Sequence, residues 1–463
     1  MSLTHDVFPV NTQSQPYNKF FVISISLVAA LGGLMFGFDL GIITGVIPFI
    51  TKQFNLQGFS LGWVVAIFEL GCMAGALGIA WFANKYGRKN VMIFNSLLLV
   101  ITSVGVALAP SPVILCFWRF IQGASVGAAS VVSPMYIAEI SPAHARGKLV
   151  SLNQLTIILG ILLATVSAFV FGDPANPESW RWMFGSAVVP ASLFFIMVFL
   201  IPETPRWLIK ANRDADAKRV LMKIGESDFI EKEMNDIKKS LHQNTKSGSY
   251  RDLLSATVLP ALLVGFGIAI LQQFCGINNV TQYVQVIFEK AHINLTDGLF
   301  KGMFVGLVFF VFTFLAIVLV DKIGRKILML VGTALMAFFL FMLAWSFQST
   351  SINGLLVFFY VMGYIATFAF TLGPVVWVLL SEIYPNYIRE KALSLSSFML
   401  WTATFVVVLT SPYLLDLSPM INFLLFAVLN LVGFVFVLFF MPETKGRTLE
   451  DMEEIWIKKS KRI

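Results

Sequence analysis

Long apolar runs separated by short polar stretches dominate the chain. Twelve of them approach or exceed the roughly 20 residues that carry a helix across a bilayer. They are 20–49, 60–83, 90–109, 112–138, 149–171, 182–201, 255–287, 301–320, 327–347, 354–381, 391–414 and 419–440. Several exceed a straight crossing, so tilted or broken helices are expected. The one long polar segment, Pro202–Arg251, divides the runs six and six. Within it, Asp214–Lys223 and Phe229–Leu241 place apolar residues at helical spacing among charges. That pattern predicts short amphipathic helices lying on a membrane face, with a solvated linker as the plainer alternative. The predicted architecture is an all-α membrane protein: tail 1–19, six-helix half 20–201, linker 202–251, six-helix half 252–440 and tail 441–463.

The polar stretches repeat. Asn84-Lys85-Tyr86-Gly87-Arg88-Lys89 returns as Asp321-Lys322-Ile323-Gly324-Arg325-Lys326, 237 residues on. Glu139-Ile140-Ser141-Pro142 with Arg146 returns as Glu382-Ile383-Tyr384-Pro385 with Arg389, offset 243. Pro202-Glu203-Thr204 returns as Pro442-Glu443-Thr444, offset 240. Three motifs in one order at nearly one offset mean two homologous halves. A duplicated membrane protein with polar groups inside its helices is most simply a transporter.

Composition agrees. Of 463 residues, 57% are hydrophobic and 13% charged, more apolar surface than a soluble core of that size can hide, so the lipid bilayer is the implied solvent. The formal charge of +7 first suggests nucleic acid, but the placement of the charges points to membrane topology. An even number of spans puts both termini on one side. That side holds 28 of the 33 Lys and Arg, against four opposite and Arg119 inside a span. By the positive-inside rule the termini and central loop are expected in the cytoplasm. Residues 1–19 lack the pattern of a signal peptide. Cys72, Cys116 and Cys275 lie inside apolar runs at unrelated spacings and read as buried free thiols. No metal spacing, Ser/His/Asp set or phosphate loop is present, so no metal, cofactor or enzymatic chemistry is expected.

The chemistry sits inside the spans. Span 7 carries Gln272, Gln273, Asn278, Asn279, Gln282 and Gln285 in one hydrophobic segment interrupted by Gly276. Many amides suit a ligand with many hydroxyls, and an interrupted helix frees backbone to line a cavity. Gln272 and Asn279 are seven apart, which puts them on one helix face, and Gln282 extends it. Amides also bond helix to helix in membranes, and that reading stands beside the first. Asp39 in span 1 and Arg119 in span 4 are ionisable groups at membrane depth, where they face a cavity or each other. Such a carboxylate can change protonation as a cavity opens to each side, and a structural Asp–Arg pair is the alternative. Glu69 in span 2 is a second titrating group, a ligand contact or a water-facing side chain.

The repeated loops resemble the G-R-[RK] signature of the major facilitator superfamily. More closely, the chain resembles the sugar porter family, through Arg119–Gly127 (RFIQGASVG), Pro134–Gly147 (PMYIAEISPAHARG), Pro202–Leu208 (PETPRWL), Gln272–Asn278 (QQFCGIN), Gly373–Glu382 (GPVVWVLLSE) and Pro442–Glu450 (PETKGRTLE). Those motifs cover both halves. The nearest types are bacterial proton-coupled pentose and hexose symporters and animal facilitative glucose transporters. The resemblance implies sugar-contacting positions at Gln154, Gln272, Gln273, Asn278, Trp377 and Trp401, with Gly373-Pro374 as the flexible break of span 10. It implies proton coupling at Asp39, where facilitators typically carry Asn, tuned by Arg119. It also implies that Arg88, Glu139, Arg146, Glu203, Arg325, Glu382, Arg389 and Glu443 form a network that locks the two halves in the outward-facing state; solvated loop charge obeying topology is the plainer reading. Four positions depart from the family pattern. Ile161, Phe309 and Leu400 stand where polar residues are common, and Gln282 stands where Tyr is common. The pocket thus loses polar groups on the span 8 and 11 side and gains some on span 7.

The expected activity is therefore proton-coupled symport of a monosaccharide, pentose or hexose, by alternating access. A uniporter of the same fold, a cyclitol symporter and a non-transporting sensor are the rivals, and a drug antiporter is disfavoured by the amides of span 7. The short loop 50–59 suggests a bacterial cytoplasmic membrane.

Overall fold

The computed structural model describes residues 17–142, 145–243, 250–255, 258–349, 351–385, 387–445, 452 and 456. Most of both predicted tails, 1–16 and nearly all of 446–463, lies outside the described residues. The apolar runs fold as helices, some of them broken, and among the described residues twelve helical segments are long and apolar enough to cross a membrane. Spans 1 to 6 are Lys19–Phe54, Phe59–Tyr86, Arg88–Ala107, Pro112–Ile140, Arg146–Phe171 and Ser179–Val198. Spans 7 to 12 are Leu259–Gln282, Leu295–Ile323, Arg325–Gln348, Gly354–Glu382, Arg389–Leu417 and Pro419–Phe440. Most run a few residues beyond the apolar run that predicts them, because Lys19, Arg88, Arg146, Arg325 and Arg389 begin helices while their charged ends can reach water. Span 7 does the reverse. It starts at Leu259 rather than 255, where Pro260 occupies its first turn. Side-chain caps fix other starts: Ser111 before Pro112 accepts from the amide of Ile114, and Ser418 before Pro419 from that of Ile421.

Spans 1 to 6 and 7 to 12 pack as two bundles. Within the first, a stripe of Gly71, Gly75, Gly123 and Gly127 brings spans 2 and 4 into backbone contact, since a Cβ at any of them would lie within 2.2 Å of a carbonyl oxygen across the seam. Small residues are the usual means of close helix association where lipid offers no hydrophobic drive. Among the described residues, the predicted linker holds three α-helices, Pro205–Lys210, Asp214–Ile224 and Ser227–Gln243. They dock on the first bundle: Asn18 donates its amide to the carbonyl of Ile224 at 2.8 Å, and Tyr17 bridges Gly225.

The two bundles meet through spans 2 and 11, 5 and 8, and 1 and 7. Many of these contacts lie toward the face opposite the termini. Phe59 stacks on Tyr413 at 4.7 Å, Gly58 donates its amide to Asp416 at 3.2 Å, and Phe169 meets Phe300 at 5.7 Å. On the termini face the charged motifs close within each half. Arg88 pairs with Glu139 at 2.8 Å, Thr204 donates to Glu139 at 2.7 Å, and Glu203 accepts from the amides of Arg88 and Lys89, both 3.0 Å. The second copy repeats this. Arg325 pairs with Glu382 at 3.1 Å, Thr444 donates to Glu382, and Glu443 accepts from the amides of Arg325 and Lys326 at 3.1 and 3.0 Å. The carboxylate at 203 thus caps the positive end of span 3, and that at 443 the positive end of span 9. Burial pushes the Glu203 carboxyl above the ordinary glutamate range, while those amides and Arg88 pull the other way. Glu139 is held by Arg88 and Thr204, and Arg146 acts electrostatically on Glu233 of the third linker helix.

Gly62 sits in close backbone contact across the span 2–11 seam, because a Cβ there would lie 2.1 Å from the carbonyl oxygen of Leu409. Gly62→Val is expected to hold that face open. In a background with Cys72, Cys116 and Cys275 replaced, a Leu409→Cys probe should label faster with an impermeant maleimide when Gly62→Val is added. The expected change is about tenfold, the effect of a ~1.4 kcal/mol shift in a two-state equilibrium. An unchanged rate would mean that this contact does not govern closure.

Candidate functional site

Span 7 is broken where the sequence places Gly276. That residue takes φ +93° and separates helix Leu259–Phe274 from Ile277–Gln282. A left-handed backbone admits glycine readily, and a Cβ here would lie 2.8 Å from the ring of Phe426. The break frees the carbonyl of Cys275. Contrary to the expectation that it lines a cavity, it is captured by the Tyr364 hydroxyl and the Asn430 amide, both at 2.9 Å. Span 10 breaks at Thr371, two residues before the Gly373-Pro374 that the family pattern marks. Pro374 then sits in the first turn of Leu372–Glu382, where its missing amide hydrogen costs nothing.

Around the span 7 break the amides form one chain of donors. Gln272 Nε2 donates to the carbonyls of Leu372 and Gly373, both 3.2 Å, tying the two broken spans together. Gln273 Nε2 faces Gln272 Oε1 at 3.5 Å, and Asn278 Nδ2 donates to Gln273 Oε1 at 2.6 Å. Gln282 Nε2 donates to Asn278 Oδ1 at 3.3 Å and to Glu69 Oε1 at 3.0 Å. The chain therefore runs from span 10 through span 7 to span 2, crossing from one half to the other. Trp377 is one helical turn beyond Gly373 and 44% exposed; Trp401 is 8% exposed and packs on Phe36 of span 1 at 5.8 Å. Gln154 is half-buried with no hydrogen-bond partner among the described residues, which leaves its amide free for a ligand.

Asn279 belongs elsewhere. It makes a reciprocal amide pair with Asn422 of span 12, at 2.9 and 3.0 Å, with both residues fully buried. Gln285 likewise donates to the carbonyl of Gly298 at 3.0 Å. These two are helix–helix bonds. The seven-residue spacing that groups Asn279 with Gln272 assumes an unbroken helix, and Gly276 resets the rotation between them.

Beside the amide chain lies a buried charge cluster. Asp39 Oδ1 meets Arg119 at 3.4 Å, and neither side chain reaches the surface. Arg119 also donates to Gln122 Oε1 at 3.1 Å, and its guanidinium lies 4.2 Å over the ring of Phe68 and 5.4 Å from that of Phe184. Stacking on rings suits a guanidinium taken out of water. Gln122, Phe36 and the aromatic lid on Arg119 are not singled out by the sequence reading. Gln122 has a signal, since it lies three residues from Arg119 on the same helix face. Phe36 has none, because apolar residues surround it on both sides. Asp39 Oδ2, Glu69 Oε2, Arg119 Nε and Gln122 Nε2 are buried without a partner among the described residues. The site thus combines an amide-rich, aromatic-flanked surface for hydroxyls with a carboxylate whose counter-charge sits one bond away.

The model of the sugar (and other) transporter family matches residues 25–456. The D-xylose-proton symporter of Escherichia coli (strain K12) is 36% identical over 492 aligned positions, covering 98% of this chain and 99% of that protein. The arabinose-proton symporter of Bacillus subtilis (strain 168) is 34% identical over 450 positions, covering 95% and 96%. The inward open structure of the xylose transporter XylE from E. coli superposes with a TM-score of 0.82 at 34% identity, covering 94% of this chain and all of that one. The match runs through both halves, both copies of the repeated loops and the broken seventh and tenth spans, and the chain belongs to the sugar porter family of the major facilitator superfamily.

Proposed function

We propose that the chain carries a monosaccharide together with a proton, and that the structure is open toward the face bearing the termini. The observation that carries this reading is the buried Asp39–Arg119 pair, held at 3.4 Å beside an amide chain that links the two halves. An ion pair at membrane depth is costly to build, and its retention suits a group that must change charge during the cycle. Relatives named for xylose and arabinose symport support the substrate class. The packing of the halves away from the termini face, and the closure of each charged motif within its own half, support the open state. The excess of Lys and Arg on the termini face supports a cytoplasmic side there, most simply under a bacterial inner membrane.

The proposed cycle uses this geometry. When the opposite face opens, water reaches Asp39, a proton binds its carboxylate, and the hold on Arg119 loosens. Sugar hydroxyls take the place of the internal bonds among Gln273, Asn278 and Gln282, and meet Gln154 from the other half. Trp377 and Trp401 offer apolar surface to the ring. Closure around the sugar carries a neutral carboxyl across. Opening of the termini face releases both, and Asp39 re-pairs with Arg119. The repeated charge motifs cap their helices in the state seen here. In the opposite state they are free to bind across the halves, which would make them a two-position clasp.

Two outcomes test this. Gln273→Ala and Asn278→Ala should each weaken sugar binding by ~1–3 kcal/mol, because a desolvated hydroxyl loses its partner. Calorimetry against D-xylose, L-arabinose, D-glucose and D-galactose measures it, and unchanged affinity in both variants would remove span 7 from the site. Asp39→Asn keeps the shape and removes the titration. In proteoliposomes with an imposed pH gradient, it should lose accumulation above equilibrium while counterflow exchange persists. Accumulation by this variant would move the coupling role elsewhere, and a wild type indifferent to the gradient would make the protein a uniporter.

A further inference from the structure

Glu69 has no role in the cycle above, yet it is a buried charge bonded across the two halves. It lies in the middle of span 2, 1% exposed, and Gln282 of the other half donates to its Oε1 at 3.0 Å. Its Oε2 is buried and has no partner among the described residues. The groups facing it are Arg119 from span 4, Asp39 from span 1, Cys72 from its own helix and Tyr283 from span 7. Among the described residues, the buried charges away from the termini face are these three: Asp39, Glu69 and Arg119. Two carboxylates and one guanidinium sum to one negative charge when all are ionised. Arg119 reaches Asp39 directly, so the uncompensated charge falls on Glu69. A net charge in a sealed membrane interior costs several kcal/mol, and one bound proton removes it.

We infer that Glu69 and Asp39 form a single proton site around Arg119, and that Glu69 passes the state of that site to the sugar pocket through Gln282. The proton comes from water on the open face, occupies one carboxylate oxygen of the pair, and returns to water on the other face. Gln282 is the reporter because one amide nitrogen serves both Glu69 and Asn278. While Glu69 is ionised, its bond to Gln282 is charge-assisted and holds that amide against the half interface. Once the site is protonated the bond weakens and the amide turns to a sugar hydroxyl. Proton and sugar then favour each other's binding, as linkage requires. This deepens the symport reading and rests on it.

The test uses the full chain in proteoliposomes, with whichever labelled sugar of D-xylose, L-arabinose, D-glucose and D-galactose the wild type accumulates best. Glu69→Gln keeps size and an acceptor for Gln282 but cannot titrate. The ratio of gradient-driven accumulation to counterflow, which cancels differences in folded protein, should fall by about tenfold. The rise in sugar affinity at low pH should flatten. A variant with the wild-type ratio and pH profile would overturn the inference and leave symport at Asp39 intact; a wild type that accumulates nothing would overturn both. A second arm needs no variant. Dicyclohexylcarbodiimide adds to protonated buried carboxyls, and peptide mass spectrometry should find it on Glu69, increasingly at low pH and, because sugar favours the protonated site, more with saturating sugar. Labelling confined to Asp39 at every pH would also overturn the inference.

Discussion

A guanidinium held away from water at membrane depth constrains everything packed around it. Arg119 cannot shed its charge, so its surroundings must supply counter-charge, hydrogen bonds and polarisable surface. Asp39, Gln122 and the rings of Phe68 and Phe184 do so from four different spans. The glycine stripe between spans 2 and 4 is what lets those spans come close enough to enclose it. The cluster does not balance itself internally: among the described residues, Nε of Arg119 and one oxygen each of Asp39 and Glu69 have no partner. An interior that were fully satisfied would have no reason to take up a proton.

The duplication supplies the rest of the machine. Both halves carry the same cap, a Glu at 203 or 443 receiving two helix amides, and the same Arg–Glu–Thr set beside it. Equivalent parts on either side of the interface give two rigid bodies of similar stability, which is what a rocking motion about a central site needs. The Arg88–Glu139 and Arg325–Glu382 pairs are largely buried and each closes within its own half, so each stiffens the half it belongs to.

Much of this was legible in the chain, for physical reasons. Lipid demands length and apolarity, so the twelve spans can be read from both, and charged ends explain why the helices overrun their apolar runs. The interruption at Gly276 was also readable, but its consequences were not. A left-handed residue turns the following helix by an amount that no spacing rule contains, which is why Asn279 points to Asn422 of span 12 and leaves Gln273, Asn278 and Gln282 to form the chain. The capture of the Cys275 carbonyl depends on Tyr364 and Asn430, 89 and 155 residues away. Glu69 stood out as a charge inside a span. Gln282 stood out as a departure from the family pattern. That they bond to each other across the halves is visible only in three dimensions.

The central claim is that sugar and proton move together through the buried cluster. It is tested most directly in wild-type proteoliposomes with no initial pH gradient, by adding sugar outside and following external pH. The account predicts that the medium turns alkaline as sugar enters, with initial proton and sugar fluxes in fixed ratio and both ending as the sugar equilibrates. Sugar entering with no change in external pH would contradict it.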